Sequence, residues 1–259
     1  MQESANNNST IDNTAISIRS IPDGFAFYTS ATKGDVYKEL KMPASLDFPS
    51  RFEDFVKSEG WAVQNDLLVT VIDFPKHFMV LPNGITDKEQ IKTFFNFQFL
   101  HEEENQIFSV PLSDGKQSFC WEMPSTRYNA FKRLFLNLNI NSSACLLTDW
   151  AIHQASVKQV TTLVAHLYGK DMHLFVANTN GLLFANTFPI RNLEEMPYFF
   201  LRCMEQLSLN PIQTRCTICS ESVPEQNIFE ILHPYIQQIR FATFTNQKDY
   251  PLKMTGNKY

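Results

Sequence analysis

The feature that most constrains this chain is a strand-and-helix pattern that its two halves share. In the C-terminal half, Thr162 to Leu167, Met172 to Ala177 and Leu182 to Phe188 are apolar runs of strand length. Tyr168-Gly169-Lys170-Asp171 and Asn178-Thr179-Asn180-Gly181 separate them with turn chemistry, so the three strands read as a meander. A helix follows over Leu193 to Leu207, with Met196, Phe199, Phe200, Cys203 and Met204 at helical spacing. Then come a strand, Thr214 to Cys219, and a helix opened by Pro224 with Ser222 as candidate cap. That helix carries the stripe Ile228, Ile231, Leu232, Tyr235, Ile236 and Ile239, and Pro234 is placed to kink it. A last strand spans Arg240 to Thr245. Strands that alternate with helices return in parallel through the helical crossover.

The N-terminal half has the same plan with an interruption. Thr14 to Ser20 is a strand with Ile16 and Ile18 on one face; Pro22-Asp23-Gly24 is a turn and Phe25 to Tyr28 the returning strand. Residues 30–47 read as a loop or a further short strand, and Phe48 to Glu59 as a helix. Leu67 to Ile72 is apolar throughout, as in a strand covered on both faces. Phe78 to Pro82, a helix over Asp87 to Leu100, and strands at Ile107 to Leu112 and Gln117 to Glu122 joined by an Asp-Gly turn make up the interruption. A helix over Ser125 to Leu138, a short strand over Ala144 to Leu147 and a helix from Asp149 to about Ser156 complete this half. The expected organisation is a disordered tail over 1–13, a first half over 14–158 with a subdomain inserted at about 74–119, a second half over 159–246, and a polar tail over 247–259.

Composition limits what such a chain can do. The net charge is −5 and the pI about 5.7, a field that repels phosphate backbones, so no nucleic acid is expected as partner. No apolar run reaches the roughly 18 to 20 residues that span a bilayer, so no membrane insertion is expected. Met1 to Thr10 lacks the charged start and apolar core of a signal peptide. The five cysteines are odd in number and scattered, which reads as reduced thiols in a cytoplasmic protein. Glycine is scarce: 8 in 259 residues is about 3%, against a usual level near 7%. Loops that cradle phosphate need glycine so that backbone N–H groups can reach the anion.

Meander followed by alternating helix and strand is the arrangement of the ribonuclease-H-like fold, and two tandem copies give the actin-like ATPase superfold: α/β, with mixed sheets and flanking helices. Ile16-Ser17-Ile18-Arg19 followed by Asp23-Gly24-Phe25-Ala26-Phe27 resembles the opening of an uncharacterised Bacteroidetes family, domain of unknown function 3822, over about Thr14 to Phe244. The order Val69-Thr70-Val71, Leu81-Pro82, Phe131 to Asn139 and Leu146 to Asp149 is also similar to the pilus-assembly branch of actin-like proteins. The superfold implies ATP held by two Asp-x-Gly hairpins and a late Gly-Gly turn. At the matching places this chain has Ile18-Arg19-Ser20, Ala165-His166-Leu167-Tyr168 and Ser220-Glu221. The resemblance thus supports the fold and argues against the activity.

Other chemistry is sparse. Three residues are candidates for a cleft. Arg19 is a charge on an apolar first strand, either a ligand for an anion or a partner carboxylate, or a solvent-facing edge residue. Asp73 closes the run Leu67–Ile72, where α/β sites tend to lie, or is a turn residue ahead of Pro75. Asp149, between a strand and a helix, is a cleft carboxylate or an N-cap. No catalytic, cofactor-binding or metal-binding residue is assigned. Cys216-x-x-Cys219 is one pair, where a zinc site needs about four ligands, and the six histidines show no tight ligand spacing. Phe94, Phe95, Phe97 and Phe99 crowd one helix and read as domain packing or a partner surface. The expectation is a non-catalytic binding or scaffolding protein without a cofactor, with an unknown protein partner or a homodimer. The alternative is a divergent ATP-binding enzyme, a kinase or ATPase of the same superfold.

Overall fold

The computed structural model describes residues 15–21, 24–31, 34–41, 48–59, 68–99, 105–220 and 223–242. The expected tails and the Ser222 cap lie outside them. The chain forms two compact units. One holds Met1–Ile72, Asn129–Ile140 and Gln247–Tyr259; the other holds Asp73–Tyr128 and Asn141–Asn246.

The first sheet has the order β3-β2-β1-β4-β8. Its strands are β1 (Ala15–Ile21), β2 (Gly24–Ala31), β3 (Gly34–Lys41), β4 (Leu68–Asp73) and β8 (Asn137–Ser142). β1, β2 and β3 are antiparallel, with Ile18 opposite Phe27 and Phe25 opposite Leu40. The segment read as loop or short strand is therefore a full third strand. Its edge carries Lys38, Glu39 and Lys41, the charges that keep an outer strand from pairing with another chain. Helix α1 (Phe48–Ser58) supplies Phe52, fully buried, with its ring 4.8 Å from Phe25 and 5.1 Å from Phe131 of α3 (Ser125–Leu134). Phe48, Phe52 and Phe55, at helical spacing on α1, thus meet Phe25 and Phe27, alternate residues of β2.

The second sheet repeats the order, β11-β10-β9-β12-β13. Its meander is β9 (Thr162–Tyr168), β10 (Asp171–Asn178) and β11 (Gly181–Pro189), all antiparallel, while β12 (Arg215–Ser220) runs parallel to β9 and β13 (Ile239–Phe241) parallel to β12. This is the ribonuclease-H-like order expected from the sequence. On one face, Leu163, Ala165, Leu174, Val176, Cys216 and Ile218 pack against Phe200 and Met204 of α5 (Met196–Gln206) and Ile228 and Leu232 of α6 (Glu225–Leu232). Helix α6 ends two residues before Pro234; the expected kink is a termination, because a ring without N–H cannot continue the ladder. The other face is covered by α4 (Ser143–Lys158), whose buried Ala144, Ala151 and Ala155 allow close approach to the sheet.

The short strand expected over Ala144–Leu147 is instead the first turn of α4, and the strand precedes it as β8. Ser142 decides the boundary: its Oγ accepts the Cys145 N–H at 3.3 Å and caps the helix.

A smaller antiparallel sheet, β5-β7-β6, comprises β5 (Phe78–Pro82), β6 (Asn105–Pro111) and β7 (Gln117–Pro124). Helix α2 (Lys88–Gln98) packs on one face of it through Ile91 and Phe95, against Met79 and Cys120.

Candidate functional site

The three places where the superfold would hold a nucleotide have other occupants. Only residues 22 and 23 separate β1 from β2. Arg19 lies on β1 opposite Ala26 and is 8% exposed, so it is an inward-held charge rather than a solvent-facing one. Gly24 begins β2 at φ +154°, and a Cβ there would stand 2.1 Å from the Leu40 carbonyl oxygen. Glycine at this turn therefore serves the close approach of β3.

The second hairpin turns on Gly169 and Lys170 alone, which places His166 directly opposite His173. The face of this hairpin is covered by aromatic side chains. The Phe74 ring lies 4.2 Å from that of His173, stacked on it, 5.2 Å from His166 and 5.5 Å from Tyr168. Phe78 meets His173 edge-on at 5.2 Å. His173 is fully buried; burial first, and then the charge of His166, hold its pKa well below the ordinary 6.5. The Pro75 carbonyl opposes this shift from beside the ring, outside hydrogen-bonding geometry.

Two carboxyl groups of this unit face basic side chains. Asp73, 2% exposed at the end of β4, faces the Arg127 guanidinium at 3.5 Å, so it is a buried ion-pair member rather than a turn residue. The His77 Nδ1 lies 2.7 Å from the Glu122 Oε1, with the imidazole stacked on Phe99. Burial raises the pKa of the Asp171 carboxyl, and Lys76 and His77 offset part of that. Among the described residues, no group of three or more His, Cys, Asp and Glu is placed to hold a metal ion.

At the third place, the Ser220 hydroxyl donates to the Val223 carbonyl at 2.8 Å and accepts the Val223 N–H at 3.2 Å. A side chain closes the turn where the superfold would place paired glycines.

Asp149 is not an N-cap, since Ser142 caps the helix. It sits inside α4 and accepts the Ser113 N–H at 2.8 Å. Burial raises its pKa, the Ser113 bonds lower it, and Asp114 raises it again. Asp114 in turn accepts from the Lys116 N–H at 2.9 Å and the Leu182 N–H at 3.3 Å, while the Lys116 ammonium donates to the Asn180 carbonyl. These bonds fix the β6–β7 turn against the β10–β11 turn and α4. Asp73 and Asp149 thus serve different partners. Cys216 and Cys219 are buried on β12 and form no disulfide, as small strand residues should.

A groove of about 510 Å³ runs between α2 and β6. Lys88, Glu89, Ile91 and Lys92 line one wall and Asn105 to Ser109 the other. β6 is an outer strand of its sheet. The Leu112 N–H bonds to the Gln117 carbonyl, so Gln106, Phe108 and Val110 aim their backbone groups at β7, and Ile107 and Ser109 aim theirs outward. Of the four crowded phenylalanines, Phe95 is buried and Phe99 packs beside it, whereas Phe94 and Phe97 are exposed, Phe97 by 93%. The groove was not legible in the sequence, because an outer strand is defined only once the sheet order is known. The His166–His173 pair was: a two-residue turn at 169–170 fixes those partners.

No curated protein matches the chain. Among solved structures, a Bacteroides thetaiotaomicron protein with actin-like ATPase fold and unknown function is similar at TM-score 0.80 and 17% identity, over 93% of this chain and 95% of that one. A chain of the PilM-PilN type IV pilus biogenesis complex is similar at TM-score 0.56 and 8% identity, over 93% and 94%. No helix among the described residues is long and apolar enough to cross a membrane. The profile of the family described as protein of unknown function, DUF3822, matches residues 3–239, and the chain belongs to that family, with the actin-like ATPase fold.

Proposed function

We propose that this protein is a non-catalytic member of the actin-like superfold that acts in the cytoplasm as a binding or scaffolding protein, with a protein and not a nucleic acid as partner. The observation that carries the reading is the second hairpin. Its turn has no Asp-x-Gly, and its face is filled by Phe74 stacked on a neutral, fully buried His173. A phosphate group there would meet the Phe74 ring in place of the backbone N–H groups of a glycine turn and a metal-holding carboxylate. The similarity to a PilM-PilN complex supports a protein partner, since PilM is there bound to another protein. The repeated strand order supports halves at about 14–158 and 159–246, with the three-stranded sheet as the inserted subdomain.

Thermal unfolding with increasing ATP and Mg²⁺ tests this. The expected result is an unchanged midpoint up to millimolar nucleotide. A concentration-dependent rise would overturn the reading in favour of a divergent kinase or ATPase, because a ligand that binds only the native state stabilises it.

A further inference from the structure

Among the described residues no strand pairs with the outer side of β6, and the surroundings of that edge suit one kind of chain. β6 reads Asn-Gln-Ile-Phe-Ser-Val-Pro and carries no charge. The outer strand β3 of the first sheet, by contrast, carries Lys38, Glu39 and Lys41. Ile107 and Ser109 present backbone groups outward, and Ser109 is exposed. The Gln106 side chain donates to the Ile107 carbonyl at 3.2 Å, standing in for a neighbouring strand. Beside this edge, Lys88 and Lys92 lie one turn apart on the flank of α2, exposed and without an ion pair among the described residues; Glu89 is the one acid on that wall.

From this geometry we infer that β6 accepts an extended segment of a partner protein as a fourth strand, and that the segment is acidic on alternate residues. Backbone bonds to Ile107 and Ser109 supply the pairing. Alternation places every second side chain toward α2, where carboxylates meet Lys88 and Lys92, and the others toward the opposite face of the sheet, beside half-buried Phe108. A second copy of this chain fits less well. Two-fold pairing of β6 with itself keeps both α2 helices on one face and brings four lysines to one seam against two glutamates. The inference rests on the binding-protein reading and names its surface.

The test uses the full chain and two blocked synthetic hexapeptides, alternating Glu-Val and alternating Lys-Val, followed by amide hydrogen exchange and fluorescence anisotropy. The Glu-Val peptide should bind at least about tenfold tighter than the Lys-Val peptide and protect the Ile107 and Ser109 amides. Lys88→Glu with Lys92→Glu should reverse the preference. Ser109→Pro removes an outward N–H at an outer strand, where proline is tolerated, and should abolish binding with the melting temperature kept. Equal binding of both peptides, no binding at about 1 mM, or protection elsewhere overturns the inference. So does concentration-dependent self-association that Ser109→Pro abolishes, which would give the edge to a second copy. Because ATP titration is independent of this edge, failure here leaves the non-catalytic reading standing, and the reverse also holds.

Discussion

His173 gives the hairpin cover a signature in the pH dependence of stability. In the folded chain its ring is enclosed by Phe74, Phe78, Phe175 and His166, and its pKa is held well below 6.5. In the unfolded chain it takes up a proton as pH falls through the ordinary value of 6.5. The unfolded state then binds more protons than the folded one, so stability is full above that pH and is lost below it. One unit below, at about pH 5.5, the loss is on the order of 1 kcal/mol for this one group. His173→Phe keeps the aromatic nest and removes the proton site; any overpacking cost, about 1 to 3 kcal/mol, applies at both pH values and cancels. The raised Asp171 carboxyl acts in the opposite direction, gaining stability on acidification, but is present in both chains. Urea unfolding at about pH 7.5 and 5.5 should therefore show the natural chain losing on the order of 1 kcal/mol more than the variant. Equal losses, or an NMR titration of the His173 ring near 6.5 in the folded protein, would refute the reasoning.

Three further outcomes follow from the packing. Gly181, at φ +120°, would place a Cβ 2.7 Å from the Asp114 carboxylate, whereas nothing lies within 4 Å of such an atom at Gly169. Gly181→Ala should cost about 2 kcal/mol and Gly169→Ala about 1, measured by denaturant melts; equal costs would remove Asp114 from the account. Phe52→Ala empties the centre of the ring cluster in the first unit and should cost about 3 to 5 kcal/mol. All five cysteines are buried, with Cys203 pushed up to about 11 and Cys216 to about 12 by loss of water, so a thiol reagent at neutral pH should label none until the chain unfolds.

Much of the architecture was legible because it is written in short-range chemistry. Turn residues at 169–170 and 178–181 fix the second meander, and the stripes of α5 and α6 fix their buried faces. The β8–α4 boundary was not, since Asn137 to Ser142 is polar for a strand and Ala144 to Leu147 is an apolar run that periodicity cannot divide between strand and helix. Asp149 took its expected cap role from that misplaced boundary. β3 was obscured by its charges, which mark an outer strand and mimic a loop. The site was legible mainly as absences at Arg19–Ser20, His166–Tyr168 and Ser220. What fills the second of these could not be read, because Phe74 is brought to His173 from far along the chain.

The central claim is that this actin-like fold has given up nucleotide binding. A crystal structure grown with a non-hydrolysable ATP analogue and Mg²⁺ tests it most directly. The prediction is Phe74 still stacked on His173 and no nucleotide at the Tyr168–Asp171 turn. Phosphate density at that turn, or Phe74 displaced to admit it, would contradict the claim.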